Sequence, residues 1–370
     1  MIKIAVVGTR GFPGIQGGIE SHCENLYTHL AKADCNITVF TRESYTSPNS
    51  YKYKGVTLIP VKCPKNKFLE AIIHTFKSVI KAWQMKPDIL HIHAVGPSLF
   101  APLAKMLGMK VVVTNHGPDY ERKKWPLPAK IFLKFCERQG ILFANEVITI
   151  ANNIADEIFR KYRRKTIVLP NGVNIPRLTE SAKFLKEIGL EKKKYILSVG
   201  RFVPEKGFDN LIDAFIHGSF DSLKLVLAGD ADHEDKYSRD LKKRVTENRN
   251  IIMTGFIKGQ PLHELYTHAG LFVLPSLYEG LPIVLLEAMS YGLSCIASDI
   301  QANKNVELNE DRFFATGDDE SLMKKIKKYI NKTWGEEEIN EQIRLIRDKY
   351  SWSIIGEETL KVYKRIIIKQ

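Results

Sequence analysis

Two carboxylates, a guanidinium and an ammonium in the second half of the chain carry the strongest chemical signal. Glu279 and Glu287 stand with seven residues between them, in a run from Pro275 to Met289 that is otherwise largely apolar. Pro282 suits the first turn of a helix, where its missing N–H would have had no partner. The amides of Ile283 and Val284 would then point out of the helix start, a ready phosphate site. Ile283, Val284, Leu285, Leu286, Ala288 and Met289 surround Glu287, and a carboxylate in so apolar a helix needs a partner. An extended nucleotide sugar could be gripped at both ends, with Glu279 near the sugar and Glu287 accepting bonds from ribose hydroxyls. The plain alternative for Glu287 is a helix-surface carboxylate. Upstream, Gly200 and Arg201 are followed by Lys206 and Gly207. A guanidinium and an ammonium placed together suit a diphosphate, where charge develops as a nucleotide leaves. The same spacing would also serve an ordinary basic turn.

The first half offers a glycine loop and three histidines. Gly14, Gly17 and Gly18 precede a helical pattern, and glycines there let backbone approach a ligand closely. Their spacing does not match G-x-G-x-x-G, so the nicotinamide fingerprint is poor, and a tight structural turn is the alternative. His91 and His93 share one face of a strand. A metal pair is conceivable, but no third ligand of suitable spacing is evident, which favours packing or hydrogen bonding. His116 ends a Val-Val-Val-Thr-Asn run and precedes Gly117 and Pro118, a position open to a ligand or purely structural. Asp230 and Asp232 resemble a metal-binding D-x-D, but they follow a strand and Gly229 and are read as loop chemistry.

The elements that must position these groups alternate between strand and helix twice over. Strands are expected at residues 2–8, 37–42, 56–61, 89–93, 111–116 and 146–150, with helices at 19–30, 67–84 and 98–107 between them. The pattern pauses near 169–174. It restarts with strands at 195–200, 224–229, 251–254, 271–275 and 294–297, separated by helices at 208–216, 237–247, 261–268 and 282–291. Short apolar strands alternating with helices imply parallel sheets covered on both faces. The expectation is α/β, two Rossmann-like domains, 1–172 and 173–354, with a terminal helix at 355–370 packing back on the first. Ligands in such sheets bind beyond the carboxyl ends of the strands, so a cleft between the domains is the expected site.

The bulk properties agree. The 370 residues suit two domains. The five cysteines are scattered without C-x-x-C pairs and read as small apolar residues. No apolar stretch approaches the roughly 18 residues that span a bilayer, and the N-terminus is too short and strand-like for a signal peptide. A cytoplasmic protein, peripheral on the inner face of the plasma membrane, is expected. The net charge of +13 lies wholly in the first half: residues 1–170 hold 25 basic and 12 acidic groups, and the remaining 30 basic and 30 acidic groups cancel. Such a field favours an anionic partner. No aromatic-basic RNA motif or zinc-finger spacing supports nucleic acid.

The order Gly17-Gly18, His116-Gly117, Gly200-Arg201 with Lys206-Gly207, then Glu279 and Glu287, resembles the retaining GT-B glycosyltransferases of glycosyltransferase family 4. The opening from Gly8 to Ser21 resembles a bacterial subgroup that includes rhamnosyltransferases of surface-polysaccharide assembly. The resemblance spans nearly the whole chain. It implies that Arg201 and Lys206 hold the diphosphate and Glu287 the ribose. Glu279, with the backbone of Gly280 and Leu281, would contact the transferred sugar. His116 would line the reacting centre, and Gly17 and Gly18 would approach the donor phosphates on closure. It also implies no cofactor beyond the nucleotide sugar and no bound metal, with a hexosyl or deoxyhexosyl group transferred under retention of configuration. The first domain would bind a saccharide acceptor, expected here to be lipid-linked. The stretches 65–86 and 122–134 mix lysines with Phe76, Trp83, Trp125 and Phe132, a composition suited to anionic lipid or to ordinary inward packing. The alternatives are a nucleotide-sugar epimerase or phosphorylase of the same fold and, more distantly, a basic nucleic-acid-binding protein.

Overall fold

The computed structural model describes residues 1–370 except 47, 48, 50, 65–68, 122–124, 232, 233, 333, 369 and 370. The chain forms two compact units, Met1–Gly172 with Trp352–Gln370, and Val173–Ser351.

In unit 1, strands β1 (Ile2–Val7), β2 (Cys35–Arg42), β3 (Tyr51–Tyr53), β4 (Val56–Val61), β5 (Ile89–His93), β6 (Val111–Asn115), β7 (Glu146–Thr149) and β8 (Ile167–Val168) form one sheet. Their order is β3-β4-β2-β1-β5-β6-β7-β8. All pairs are parallel except β3 with β4. β6 is buried along its whole length, as expected of a strand covered on both faces. Helices α1 (Gly18–Leu30), α2 (Leu69–Gln84), α3 (Ala101–Met106), α4 (Leu127–Phe143) and α5 (Asn152–Tyr162) connect the strands. The helix expected over 98–107 is divided into a 3-10 turn at Pro97–Phe100 and α3. Pro102 near the start of α3 explains the break, because it has no N–H to continue the preceding turn.

From β1 the chain steps to β2 on one side, then crosses back to β5 on the other. Right-handed crossovers therefore put α1 on one face and α2 to α5 on the opposite face. On that second face two helices bury polar as well as apolar residues and expose large apolar ones, Val79 and Ala82 being the buried apolar residues of α2. α2 buries Glu70, His74, Thr75 and Ser78, while Leu69, Phe76 and Trp83 are exposed. α4 buries Cys136, Glu137, Gly140 and Ile141 and exposes Leu127, Ile131, Phe132 and Phe135. Phe76, Trp83, Phe132 and Phe135 are thus exposed rather than packed inward, while Trp125 is half-buried; residues 65–68 and 122–124 lie outside the described part.

In unit 2, strands β9 (Tyr195–Val199), β10 (Lys224–Ala228), β11 (Ile251–Gly255), β12 (Leu271–Leu274), β13 (Cys295–Ser298) and β14 (Phe313–Phe314) lie in the order β11-β10-β9-β12-β13-β14. All these pairs are parallel. Its helices are α6 (Lys183–Glu187), α7 (Phe208–His217), α8 (Lys236–Thr246), α9 (Gln260–His268), α10 (Ile283–Ser290), α11 (Gln301–Lys304), α12 (Asp319–Ile330) and α13 (Glu336–Tyr350). The strand order reverses between β9 and β12, as it does between β1 and β5 in unit 1. Such switch points leave a crevice at the strand ends where ligands bind.

The last helix, α14 (Trp352–Ile368), belongs to unit 1. Trp352, Ile355, Val362, Tyr363 and Ile366 are buried in one core with Cys23, Leu26 and Tyr27 of α1. The change of unit falls after Ser351 rather than 354, because Trp352 is already part of that core. All five cysteines are free, Cys63 alone being only partly buried. No helix among the described residues is long and apolar enough to cross a membrane.

Candidate active site

The switch point of unit 2 brings together the loops that follow β9 and β12, and with them the expected cations and carboxylates. Arg201 leaves β9 half-buried. Lys206 ends a 3-10 turn (Pro204–Lys206), and its Nζ forms an ion pair with Glu279 Oε1. Ser276 Oγ donates to the same carboxylate oxygen at 2.8 Å. The amide of Leu277 donates to the carbonyl of Glu205 at 2.8 Å, joining the two loops by their backbones. Gly207 permits this closeness: its φ is +63°, and a Cβ there would stand 2.3 Å from the Pro275 carbonyl oxygen. Lys206 and Glu279 are thus one assembled unit rather than two independent side chains.

The second loop runs into α10. Pro282 caps this helix from outside, one position before its expected place, and Leu285 and Leu286 donate to its carbonyl at 3.1 and 3.3 Å. The amides of Ile283 and Val284 lie in the first turn, where a helix offers its N–H groups no internal acceptor. Glu287 is half-buried in this apolar helix, and it does have a partner. Tyr266 of α9 donates its hydroxyl to Glu287 Oε2 at 3.1 Å. Desolvation outweighs that bond and pushes the carboxyl pKa up to about 7. Tyr266 in turn stacks on Tyr291, centroids 4.9 Å apart, and Tyr291 meets His263 Nδ1 at 2.8 Å. Tyr266, Tyr291, His263 and Ser276 were not singled out in the sequence. Only the need of Glu287 for a partner pointed toward them.

In unit 1 the loop after β1 is built around an ion pair. Arg10 Nε donates to Glu20 Oε1 at 3.1 Å, its amide reaches the same oxygen at 3.2 Å, and its guanidinium also contacts the Gln16 carbonyl. Gly17 is enclosed by that pair. With φ at +153°, a Cβ there would meet Glu20 Oε2 at 2.1 Å and Arg10 Nη2 at 2.7 Å. Gly18 differs: no atom would lie within 4 Å of its Cβ, and it is exposed. The structural-turn reading therefore accounts for Gly17 and leaves Gly18 open.

The histidines form a buried network beneath that loop. His91 and His93 stack at 4.2 Å, as the strand alternation implies. His91 Nδ1 meets the hydroxyls of Tyr363 at 2.6 Å and Tyr27 at 2.9 Å, and His91 Nε2 meets Thr114 Oγ1 at 2.7 Å. The Tyr27 hydroxyl also contacts His93 Nε2, and His93 Nδ1 lies 3.0 Å from His116 Nε2. Burial depresses all these imidazoles, His91 to about 3 and His93 and His116 well below the ordinary histidine value, with neighbouring rings adding to the effect. Asn115 fixes the turn that presents half-buried His116. Its Oδ1 accepts from the Gly117 amide at 2.8 Å, and its Nδ2 donates to buried Glu137 at 3.1 Å. His91 is thus held by hydrogen bonds and has no part in a metal pair, but the fold brings two histidines that the spacing did not link, His22 of α1 and His116, to His93. Asp230, by contrast, accepts from the Ala231 amide and pairs with Lys242, while Asp232 lies outside the described residues.

Comparison with known proteins bears on the fold and the family. Residues 16–177 match the model of Glycosyltransferase Family 4 and residues 180–346 that of Glycosyl transferases group 1. A chain described as an uncharacterized glycosyltransferase of Methanocaldococcus jannaschii is 28% identical, over 98% of this chain and 98% of its own. The UDP-Gal:alpha-D-GlcNAc-diphosphoundecaprenol alpha-1,3-galactosyltransferase of Escherichia coli is 29% identical, over 65% of this chain and 66% of its own. Sucrose-phosphate synthase from Thermosynechococcus elongatus superposes with a TM-score of 0.85 at 19% identity, covering 100% of both chains. The two family models divide the chain between them within a few residues of the first boundary of its two Rossmann-like units, and the chain belongs to the GT-B glycosyltransferases that join a family 4 first domain to a group 1 second domain.

Proposed function

We propose that the protein moves a hexosyl or deoxyhexosyl group from a nucleotide sugar to a lipid-linked saccharide, with retention of configuration, in bacterial surface-polysaccharide assembly. Rhamnosyl transfer in O-antigen or capsule synthesis is the specific form favoured by the opening motif of the chain. The observation that carries the donor assignment is Glu287, a half-buried carboxyl in an apolar helix that follows the strand-end loop whose Glu279 is paired with Lys206. Such burial costs stability, a cost characteristic of functional sites, and a ribose diol would give the carboxylate two donors.

In this reading Arg201 and Lys206 hold the diphosphate and stabilise the charge that develops as it leaves. They do the work without a metal ion. The Lys206–Glu279 pair keeps both side chains in place before the donor arrives. On binding, the lysine shifts its contact toward phosphate and Glu279 is freed for a sugar hydroxyl. The first-turn amides of α10 and the backbone at Gly280 and Leu281 complete the donor contacts of unit 2, while the ligand-facing residues of unit 1 are Gly17 and Gly18, for phosphate, and neutral His116, for the sugar. The acceptor hydroxyl attacks from the face the nucleotide leaves. Its oxygen bonds to the anomeric carbon, the carbon–phosphate oxygen bond breaks, and a departing phosphate oxygen takes the proton.

The lipid-linked acceptor draws support from the outward apolar residues of α2 and α4, which share a sheet face with Lys77, Lys81 and Lys134. Apolar wedges among lysines suit an anionic bilayer. The E. coli relative acts, by its name, on a diphosphoundecaprenol-linked sugar. The test is transfer from a panel of UDP-, GDP- and dTDP-sugars to a polyprenyl-diphosphate-linked saccharide in the presence of chelator, with the product anomer read by NMR. Transfer that retains the donor configuration is expected. Inverted product, or turnover only with an added metal, would contradict the mechanism.

A further inference from the structure

Three histidines from three elements of unit 1 converge on one point. His22 lies on α1, His93 ends β5, and His116 follows β6. One ring nitrogen of each lies within 4.8 Å of the other two. The closest pair, His93 Nδ1 and His116 Nε2, is 3.0 Å apart. Two imidazole nitrogens on one tetrahedral zinc ion stand about 3.3 Å apart at bond lengths of about 2.0 Å, so ring movements of about 1 Å would complete the set.

The far sides of two of the rings are already arranged for ligation. His22 Nδ1 donates to Asn171 Oδ1 at 3.0 Å, which leaves Nε2 with the lone pair. The far nitrogen of His93, Nε2, meets the Tyr27 hydroxyl. Outer partners of this kind fix the tautomer and the plane of a metal-bound imidazole. A hydrogen bond accounts for the contact between His93 and His116 without any ion, but it does not account for His22. That ring stands edge-on to His116 with centroids 5.0 Å apart and is buried. Its one hydrogen-bond partner among the described residues is Asn171.

We propose that His22, His93 and His116 form a reversible binding site for one first-row divalent transition-metal ion, zinc being the representative. Three imidazoles with no carboxylate in the set suit zinc, nickel or copper and not magnesium, calcium or manganese. His22 and His93 are buried and His116 is half-buried, so the fourth position opens on the His116 side to water or a hydroxyl ligand. Neutral rings lose no proton on binding. Hydrogens come to rest on the far nitrogens, Nδ1 of His22 toward Asn171, Nε2 of His93 toward Tyr27, and Nδ1 of His116. Occupancy is expected to lower sugar transfer, a consequence that rests on the proposed role of His116; the binding itself does not.

The test uses the full chain stripped by chelator. Equilibrium dialysis against zinc and visible titration with cobalt(II) are expected to give about one ion per chain, with the strong absorption of a tetrahedral cobalt site. His22→Gln and His116→Gln should each weaken binding by about tenfold or more. His217→Gln, altering an exposed pair with Asp319, should leave it unchanged. X-ray absorption of the zinc-loaded wild type, which needs no variant, should show three imidazoles on the metal. No stoichiometric ion at micromolar metal, undiminished binding in both variants, or a shell of oxygen or sulfur ligands would overturn the site.

Discussion

Glu287 burdens the unit that holds it, and this makes its role measurable. Its carboxyl is raised from 4.5 to about 7 by desolvation. For an acid shifted upward, the folded state binds more protons than the unfolded one between those values. The penalty therefore grows as pH rises through that window and is complete above about 7. Glu287→Gln should melt higher than wild type at pH 8, by roughly 2 kcal/mol after allowing for partial exposure, and the gain should largely vanish at pH 5. Stabilisation by a nucleoside diphosphate should be weakened in the same variant, separating cost from use. A melting curve that is indifferent to pH would contradict the buried-charge account. The glycine loop allows a similar separation. Gly17→Ala forces a Cβ into the Arg10–Glu20 pair and should cost about 1–3 kcal/mol in thermal or urea unfolding. Gly18→Ala meets nothing within 4 Å and should leave stability within about 0.5 kcal/mol. Any loss of transfer activity there would then report on ligand approach, while a stability loss equal to that of Gly17→Ala would refute the distinction.

At the scale of elements, α2 shows what periodicity can and cannot say. The apolar spacing of Leu69, Phe76 and Trp83 indicates a helix, yet those residues face outward. The reason lies on other elements: Glu70 accepts from Arg42 Nη1 at 3.1 Å and from Ser44 Oγ at 2.6 Å. A polar stripe can be buried when its partners are waiting, and those partners are distant in sequence. α4 was legible only as a basic and aromatic stretch, because its buried Glu137 is satisfied by Asn115, Tyr120 and Tyr162. The exposed aromatic residues make a definite expectation. Trp83→Glu with Phe135→Glu should abolish flotation of the protein with anionic vesicles while changing stability by no more than about 0.5 kcal/mol. Unchanged flotation would remove the membrane reading. The strands were easier to read than the helices, since runs such as Val111–Asn115 open on consecutive valines and are buried on both faces.

For the whole molecule, the chain order hides one dependency: unit 1 is closed by its last helix, not by its first 172 residues alone. A chain ending at Ser351 removes Trp352, Ile355, Val362, Tyr363 and Ile366 from that core. Each such burial contributes roughly 1.5–3 kcal/mol, comparable in sum to the whole stability of a domain. Unit 1 should then unfold while unit 2 keeps its fold, seen as protease-resistant residues 173–351; cooperative unfolding of the whole chain as in wild type would contradict this. The amphipathic pattern of the tail was readable, and so were the loops that follow β9 and β12, because Arg201, Lys206, Glu279 and Glu287 sit in two loops and one helix whose motifs are contiguous. The convergence of His22, His93 and His116 was not readable, since only the sheet order brings β1, β5 and β6 together. The most direct test of the central claim is a thermal-shift panel with UDP, GDP, dTDP, ADP and NAD in chelator, on wild type and Glu287→Ala. Selective stabilisation by one nucleoside diphosphate, lost in the variant, is the expected result. A shift with NAD alone, or with no nucleotide at all, would contradict the assignment of a nucleotide-sugar site to unit 2.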